Sequence, residues 1–204
     1  MSSIGPFQFP QDGFKAVIFD LDGTLVDSMA AHFEAWCEAL ALHGASGIFK
    51  EDIFHAMGGR PTIDVAVELN DGYNLRLDPA AVAFAKREAF LKRLPGIRLI
   101  REVSEFAASL RGKIPMAVAS GGTRMVVEKE LQIVGISDWF DEVLCAEDVN
   151  EGKPSPEVFL KAARLLNVAP ADCLALDDAP AGIIAATRAG MQVLGIPSAL
   201  SSAA

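Results

Sequence analysis

Two pairs of aspartates carry the strongest chemical signal in this sequence. Asp20 and Asp22 follow one short apolar run, and Asp177 and Asp178 follow another. If both pairs met at one dry site, their pKa values would rise unless a cation lay among them. Mg²⁺ with its bound waters is the cation we expect, because it prefers oxygen ligands.

A hydroxyl group, two glycines and an ammonium group complete the candidate site. Ser120-Gly121-Gly122 follows a third apolar run, and Lys153 lies shortly after a fourth. Glycine lets backbone N–H groups approach a ligand closely, so this stretch suits the oxygens of an anion. Lys153 and the cation would share the negative charge of a phosphoryl group, as phosphoryl transfer requires.

The spacing of Asp20 and Asp22 suits two carboxylates with different tasks. A loop after a strand would splay them so that both meet one substrate. One carboxylate can attack phosphorus, while the other protonates the leaving oxygen and later takes a proton from water. The pattern therefore predicts a magnesium-dependent enzyme that works through an aspartyl-phosphate.

The elements that must position these groups are short apolar runs with helical patterns between them. The runs lie at 16–19, 116–119, 143–146, 173–176 and 192–196. Near-continuous apolar runs are typical of parallel strands buried on both faces, so we predict a doubly wound, Rossmann-like α/β sheet. Ligands of such sheets bind beyond the carboxyl ends of the strands, where the candidate groups stand.

A segment without convincing strands interrupts this rhythm. It opens with a helical pattern at 29–40 and ends at the helix breakers of 94–96. We therefore predict an α/β catalytic core formed by residues 13–26 and 97–204. A helical cap of residues 27–96 would be inserted after the first strand.

The composition narrows the classes of partner. The formal charge is −9, from 27 acidic and 18 basic residues, which argues against broad nucleic-acid binding. No apolar run reaches the length of a membrane helix, so we expect no membrane partner. Three scattered cysteines indicate neither a disulfide framework nor a zinc site, and we expect a reducing cytoplasm. Nothing in the sequence demands more than a monomer.

Four stretches together resemble the motifs of the haloacid dehalogenase superfamily. They are Asp20-Leu21-Asp22-Gly23-Thr24, Ala119-Ser120-Gly121, Lys153-Pro154-Ser155-Pro156 and Asp177-Asp178-Ala179-Pro180-Ala181-Gly182. Their order and spacing match from Lys15 to Pro197, and the inserted segment looks like that family's helical cap. The chain is most similar to the β-phosphoglucomutase-like subgroup, which includes sugar-phosphate phosphatases such as fructose-1-phosphate phosphatase.

The resemblance implies a role for each matching residue. Asp20 would be the nucleophile and a metal ligand. Asp22 would be the acid/base and would bind the metal through its backbone carbonyl. Ser120 and Lys153 would hold the phosphoryl group. The residues that would complete the Mg²⁺ site are Asp177 and Asp178, with Asp178 as the direct ligand and Asp177 close by or acting through water.

Three further residues are candidates for substrate contact, each beside a plainer interpretation. A histidine at the spacing of His32 supports the acid/base in the mutase-like subgroup, but His32 could equally be packed at the boundary between cap and core. Arg60 could reach a substrate hydroxyl or a second phosphate, or lie in solvent. Arg124 could face the substrate or decorate its helix. The cap arginine that mutases need matches Pro61, with Arg60 displaced by one position, which counts against a mutase.

The leading hypothesis is a Mg²⁺-dependent phosphomonoester hydrolase for a small phosphorylated sugar or related metabolite. The main rival is a β-phosphoglucomutase-like intramolecular phosphotransferase with the same nucleophile. A non-catalytic phosphate-binding module on the same fold is a third possibility. A dehalogenase is disfavoured, because the second acidic pair indicates the metal-using phosphate branch.

Overall fold

A computed structural model describes residues 8–197, and a five-stranded parallel sheet lies at its centre. The strands are β1 Ala16–Phe19, β2 Val26–Asp27, β3 Arg98–Leu99, β4 Met116–Ala119, β5 Glu142–Leu144, β6 Cys173–Asp177 and β7 Gln192–Gly195. The α-helices are α1 Met29–Leu42, α2 Glu51–Ala56, α3 Thr62–Tyr73, α4 Pro79–Leu91, α5 Arg101–Leu110, α6 Arg124–Ile133, α7 Glu157–Leu165 and α8 Pro180–Arg188. The central sheet has the order β5-β4-β1-β6-β7.

Both faces of the sheet are covered by helices. Every residue of β1 is buried, and successive side chains point to opposite faces. Ile18 shares a buried cluster with Phe159 of α7, whereas Phe19 shares a second cluster with Leu131 of α6. The predicted doubly wound parallel sheet is therefore confirmed.

Strand order and register bring the candidate groups to one edge of the sheet. β1 lies between β4 and β6, and all three run parallel. Phe19 is level with both Val118 and Leu176. The residues that follow, Asp20 and Asp177, therefore leave adjacent strands at the same height.

The inserted segment is helical and has its own apolar core. α1 to α4 lie within it, and Trp36, Phe54 and Leu69 belong to one buried cluster. A short antiparallel ribbon, β2 with β3, joins the two ends of the segment where it leaves and re-enters the core. We call residues 27–96 the cap and the remainder the core; that they form separate units stays a prediction. Residues 198–204 of the predicted core lie outside the described residues.

The observed elements differ in detail from the predicted ones. Helix α5 covers the sheet directly after the ribbon, and the predicted strand at 143–146 ends at Leu144. Cys145 and the short 3-10 turn Ala146–Asp148 then lead away from the sheet.

Among residues 8–197, no helix combines the length and apolar character that crossing a bilayer requires.

Replacing Leu69 with alanine should lower the free energy of unfolding by about 2–5 kcal/mol, because it opens a cavity in the cap core. Leu69 is 0% exposed. Val67→Ala on the same helix is the control, since Val67 is 45% exposed and its loss should change stability by less than about 0.5 kcal/mol. Urea denaturation measures both, and equal effects would contradict the assigned inner face of α3.

Candidate active site

Lys153 joins the two carboxylates that leave adjacent strands. Its Nζ donates to Asp20 Oδ1 at 2.6 Å and to Asp177 Oδ2 at 2.7 Å, and its side chain is 1% exposed. The backbone N–H of Asp20 donates to the carbonyl of Leu176 at 2.8 Å, which continues the sheet up to the carboxylate. The strand register and this ammonium group thus fix the position of Asp20.

The side chains around Lys153 include more acidic groups than basic groups. Burial raises the pKa of Asp20 well above its usual value; Lys153 opposes that rise, while Asp177 and Asp178 add to it. Burial would lower the pKa of Lys153, but the charges of Asp177 and Asp20 hold it above its usual value. Lys153 therefore stays charged, and one ammonium group faces three carboxyl groups.

The donor set fits a hard divalent cation such as Mg²⁺. Carboxylate oxygens of Asp20, Asp177 and Asp178 lie within 4.8 Å of one another. Burial, reinforced by the charge of Asp177, raises the pKa of Asp178 to about 7, and a bound cation would keep that carboxyl ionised. Whether Mg²⁺ is the ion, and whether the Asp22 carbonyl binds it, stay predictions.

The two members of the second acidic pair have different partners. Asp177 uses one oxygen for Lys153 and the other for the N–H of Ala179 at 3.0 Å. Asp178 accepts a hydrogen bond from the Thr24 hydroxyl at 3.2 Å. Asp178 lines the cavity, which suits the expectation that it is the direct ligand.

Two glycines are required by how closely these carboxylates approach the backbone. A Cβ at Gly182, in α8, would lie 1.8 Å from Asp177 Oδ2. A Cβ at Gly23 would lie 2.3 Å from Asp178 Oδ2, and the φ of Gly23 is +80°, a conformation that side chains disfavour. The glycines in the first and last motifs therefore make room for the acidic pair.

Asp22 stands at the end of a hydrogen-bonded chain that reaches into the cap. Asp22 Oδ1 accepts from the Ser28 hydroxyl at 2.5 Å and lies 2.7 Å from His32 Nε2. Lys86 Nζ, in α4, lies 2.8 Å from His32 Nδ1. Because an ammonium group can only donate, Nδ1 accepts and the Nε2–H group donates to Asp22. His32 also stacks on Phe90 with ring centroids 3.8 Å apart, so it is both packed and hydrogen-bonded.

The charges along this chain are set by burial and by neighbours. Burial lowers the pKa of His32, and the positive charge of Lys86 lowers it further, so the imidazole is neutral. Burial also lowers the pKa of Lys86 to about 8, against the attraction of Asp22. Burial would raise the pKa of Asp22, but electrostatic attraction by His32, followed by the hydrogen bonds that Asp22 makes, holds it below its usual value. Asp22 is therefore ionised at rest.

The stretch after β4 lies where cap and core touch. Gly122 N–H donates to Ser120 Oγ at 3.0 Å, which leaves the Ser120 hydroxyl hydrogen for another acceptor. A Cβ at Gly121 would lie 3.1 Å from the carbonyl oxygen of Gly59 in the cap. Gly121 and Gly122 line the cavity, as predicted for backbone that approaches a ligand.

A cavity of about 110 Å³ lies between cap and core. Asp20, Asp22 and Asp178 line it from the core. The cap contributes His32, Lys86 and Arg60, together with apolar side chains such as Trp36 and Phe54. The cavity thus has an acidic core side and a cap side that is mostly apolar with few cationic groups.

The two predicted arginines have different environments. Arg60 lines the cavity, and its guanidinium pairs with Glu68 at 2.5 Å. Arg124 does not line the cavity: its guanidinium donates to Asp148, and its backbone N–H donates to Glu147 at 3.0 Å. The acidic residues after β5 hold Arg124 in this position, and its contact with substrate stays a prediction.

Lys86 was not among the residues singled out from the sequence. It lies 54 residues from His32 along the chain and belongs to no motif. The sequence around Lys86 shows only a lysine on a predicted helix, and exposed lysines on helices are common. The contact that gives Lys86 its place arises from the packing of α4 on α1.

Replacing Gly182 with alanine should displace the Asp177 carboxylate and destabilise the protein by about 1–3 kcal/mol or more, through overpacking. Gly72→Ala is the matched control, since Gly72 is also helical and a Cβ there meets nothing within 4 Å. That substitution should be neutral or stabilise by roughly 0.5–1 kcal/mol. Thermal unfolding compares them, and a stable Gly182→Ala variant would contradict the close approach.

Replacing Lys153 with methionine should cost about 3–5 kcal/mol of stability, because it leaves two buried carboxylates without their partner. Lys15→Met is the control: Lys15 pairs with Asp172 at 2.8 Å, but its side chain is 72% exposed. Exposed pairs contribute roughly 0–1 kcal/mol. Denaturant unfolding at neutral pH distinguishes the two, and similar losses would contradict the burial of Lys153.

Comparison with known proteins agrees with this geometry. The family model of haloacid dehalogenase-like hydrolases matches residues 14–190. Fructose-1-phosphate phosphatase YqaB of Escherichia coli (strain K12) is 33% identical over 183 residues, covering 90% of this chain and 96% of that protein. Beta-phosphoglucomutase of Bacillus subtilis (strain 168) is 32% identical over 196 residues, covering 89% of this chain and 83% of that protein. The crystal structure of a hydrolase from Pseudomonas syringae shares the fold, with a TM-score of 0.81 at 23% identity, over 89% of this chain and 84% of that one.

These matches confirm the resemblance that the four motifs indicated, including the β-phosphoglucomutase-like subgroup with its sugar-phosphate phosphatases. The same matches confirm the expectation of an enzyme of the phosphatase class. The relatives align over nearly the whole chain, so the core and the inserted helical segment both belong to the match. The chain is therefore a member of the haloacid dehalogenase-like hydrolase family.

Proposed function

We propose that this protein is a Mg²⁺-dependent phosphomonoester hydrolase that acts on a small phosphorylated sugar or related metabolite. The observation that carries the proposal is the setting of Asp20. Its carboxylate lines the cavity, and Lys153 holds one of its oxygens at 2.6 Å. Asp22 lines the same cavity and has its own set of hydrogen-bond partners. A nucleophile and an acid/base are thus available to one substrate.

In the first step, a carboxylate oxygen of Asp20 attacks phosphorus and the bond to the leaving oxygen breaks. The leaving oxygen takes a proton from Asp22. Asp22 is ionised at rest, but a bound phosphoryl group places negative charge beside it and raises its affinity for a proton. The step yields an aspartyl-phosphate on Asp20, the free alcohol and an ionised Asp22.

In the second step, ionised Asp22 takes a proton from a water molecule that attacks phosphorus. The bond between phosphorus and Asp20 breaks, which releases phosphate and restores both carboxyl groups. Lys153 and the Ser120 hydroxyl stabilise the charge that develops on the phosphoryl oxygens. Mg²⁺ bound by Asp20 and Asp178, with Asp177 nearby, would supply further positive charge at those oxygens.

The cap supports a small substrate. The backbone of Gly59 lies against Gly121, and Pro61 lies against Gly152. The cap loop that contains Gly59 and Pro61 therefore covers the site. A closed cap excludes bulk water and selects the substrate. Arg60 and Lys86 offer the cap side of the cavity cationic donors for substrate hydroxyls or carboxylates. The fructose-1-phosphate phosphatase among the relatives supports a phosphorylated sugar.

A β-phosphoglucomutase-like phosphotransferase is the second candidate, because a relative carries that name. Such a mutase must hold the distal phosphate of a bisphosphate. Arg60 is paired with Glu68, and residue 61 is proline, which supports hydrolysis instead. We further propose a monomer in the cytoplasm; the three free cysteines support a reducing compartment.

The test is phosphate release from a panel of sugar phosphates with Mg²⁺ and with EDTA. We expect release that requires Mg²⁺ and that Asp20→Asn reduces to background, because an amide is a poor nucleophile. Asp138→Asn should keep the wild-type rate, since Asp138 is 74% exposed on the surface.

Each outcome of the panel decides something. Wild-type rates in Asp20→Asn would overturn the aspartyl-phosphate mechanism. Isomerisation of β-glucose-1-phosphate with a bisphosphate primer, and no phosphate release, would favour the mutase. Neither activity on any substrate would favour the non-catalytic phosphate-binding module.

A further inference from the structure

Glu130 is a buried carboxyl group that the motifs do not include. It lies on α6 with 0% exposure, among the apolar residues Val127 and Leu131. Within residues 8–197, no N–H or O–H group of another residue donates a hydrogen bond to either carboxyl oxygen. A buried polar group in such a setting calls for an explanation beyond packing.

The groups around Glu130 are those of the acid/base chain. Carboxyl or ring atoms of Asp22, His32 and Glu130 lie within 4.8 Å of one another. Lys86 and Asp20 are the other charged groups that act on Glu130. Both ring nitrogens of His32 already have partners, and Lys86 donates to one of them. Among these side chains, the acceptor that is left for Glu130 is the Asp22 carboxylate.

Two carboxylates cannot both stay ionised side by side in a buried site, so one of them holds a proton. Asp22 receives hydrogen bonds from Ser28 and His32, which stabilise its charge. Glu130 receives none. The proton accordingly lies on Glu130.

We propose that Glu130 is a positioning residue whose neutral carboxyl group donates its O–H to the Asp22 carboxylate and holds it in place for proton transfer. The functional part of this proposal rests on the proposed phosphatase activity. Ser28 and His32 lie in the inserted segment, whereas Glu130 lies on a core helix. Glu130 therefore approaches Asp22 from the core, independently of the partners that the inserted segment supplies.

The test compares two replacements of Glu130. Glu130→Gln keeps a donor of similar size, so kcat and KM should stay within about twofold of wild type. Glu130→Leu removes the donor and should lower kcat at least about tenfold with little change in KM, as expected for a lost hydrogen bond to a charged group. Its Tm should stay close to that of the wild type, because Asp22 keeps its hydrogen bonds from Ser28 and His32 while the leucine removes a buried polar group. Glu130→Met takes its place if the leucine variant does not fold.

An infrared difference spectrum, wild type minus Glu130→Gln, provides a measurement that does not depend on activity. It should contain the carbonyl stretch of a protonated carboxyl group at neutral pH, and that band should shift when Asp22 is replaced by asparagine. Absence of the band would overturn the proposal, as would wild-type kcat in Glu130→Leu or a Glu130→Gln variant as slow as the leucine variant. If the wild type hydrolysed no phosphate ester, the proposed function would fail while the infrared result still decided the hydrogen bond.

Discussion

The buried ammonium group of Lys153 is the contact on which the rest of the site depends. It lies between Asp20 and Asp177, which leave adjacent strands at the same height. Without it, two carboxylates would repel each other at the centre of the molecule, where burial already disfavours their charge. The parallel register brings the negative charges close together. In the proposed function, Lys153 and a hard cation offset these charges so that the site can bind a phosphoryl group.

The inserted helical segment does more than cover the cavity. Lys86 on α4 contacts His32 on α1, and His32 contacts Asp22 at the edge of the sheet. Asp22, the proposed acid/base, therefore owes part of its set of partners to helices of the inserted segment. The same segment places Gly59 against Gly121, so in the proposed mechanism exclusion of water and completion of the hydrogen-bonded chain to Asp22 would occur together.

The sequence was sufficient to predict which candidate residues meet where those residues follow the ends of parallel strands. Asp20, Asp177 and Asp178 follow apolar runs, and parallel strands bring such positions to one edge, so their meeting could be predicted. Lys86 and Glu130 could not be found this way, because each acts through a contact between elements distant along the chain. The contacts of Arg124 could not be predicted either: it lies beside a motif, but acidic residues after the neighbouring strand bind it.

The two aspartates of the first motif differ in their surroundings, and this difference separates their tasks. Asp20 faces an ammonium group and two further carboxyl groups, which suits a nucleophile that shares a cation with its substrate. Asp22 faces hydrogen-bond donors from Ser28 and His32, which stabilise its charge and fix its position. A carboxylate held in this way can accept and return a proton while its position stays fixed. Different environments separate the pKa values of neighbouring carboxyl groups, and this separation lets one site combine nucleophilic and acid/base chemistry.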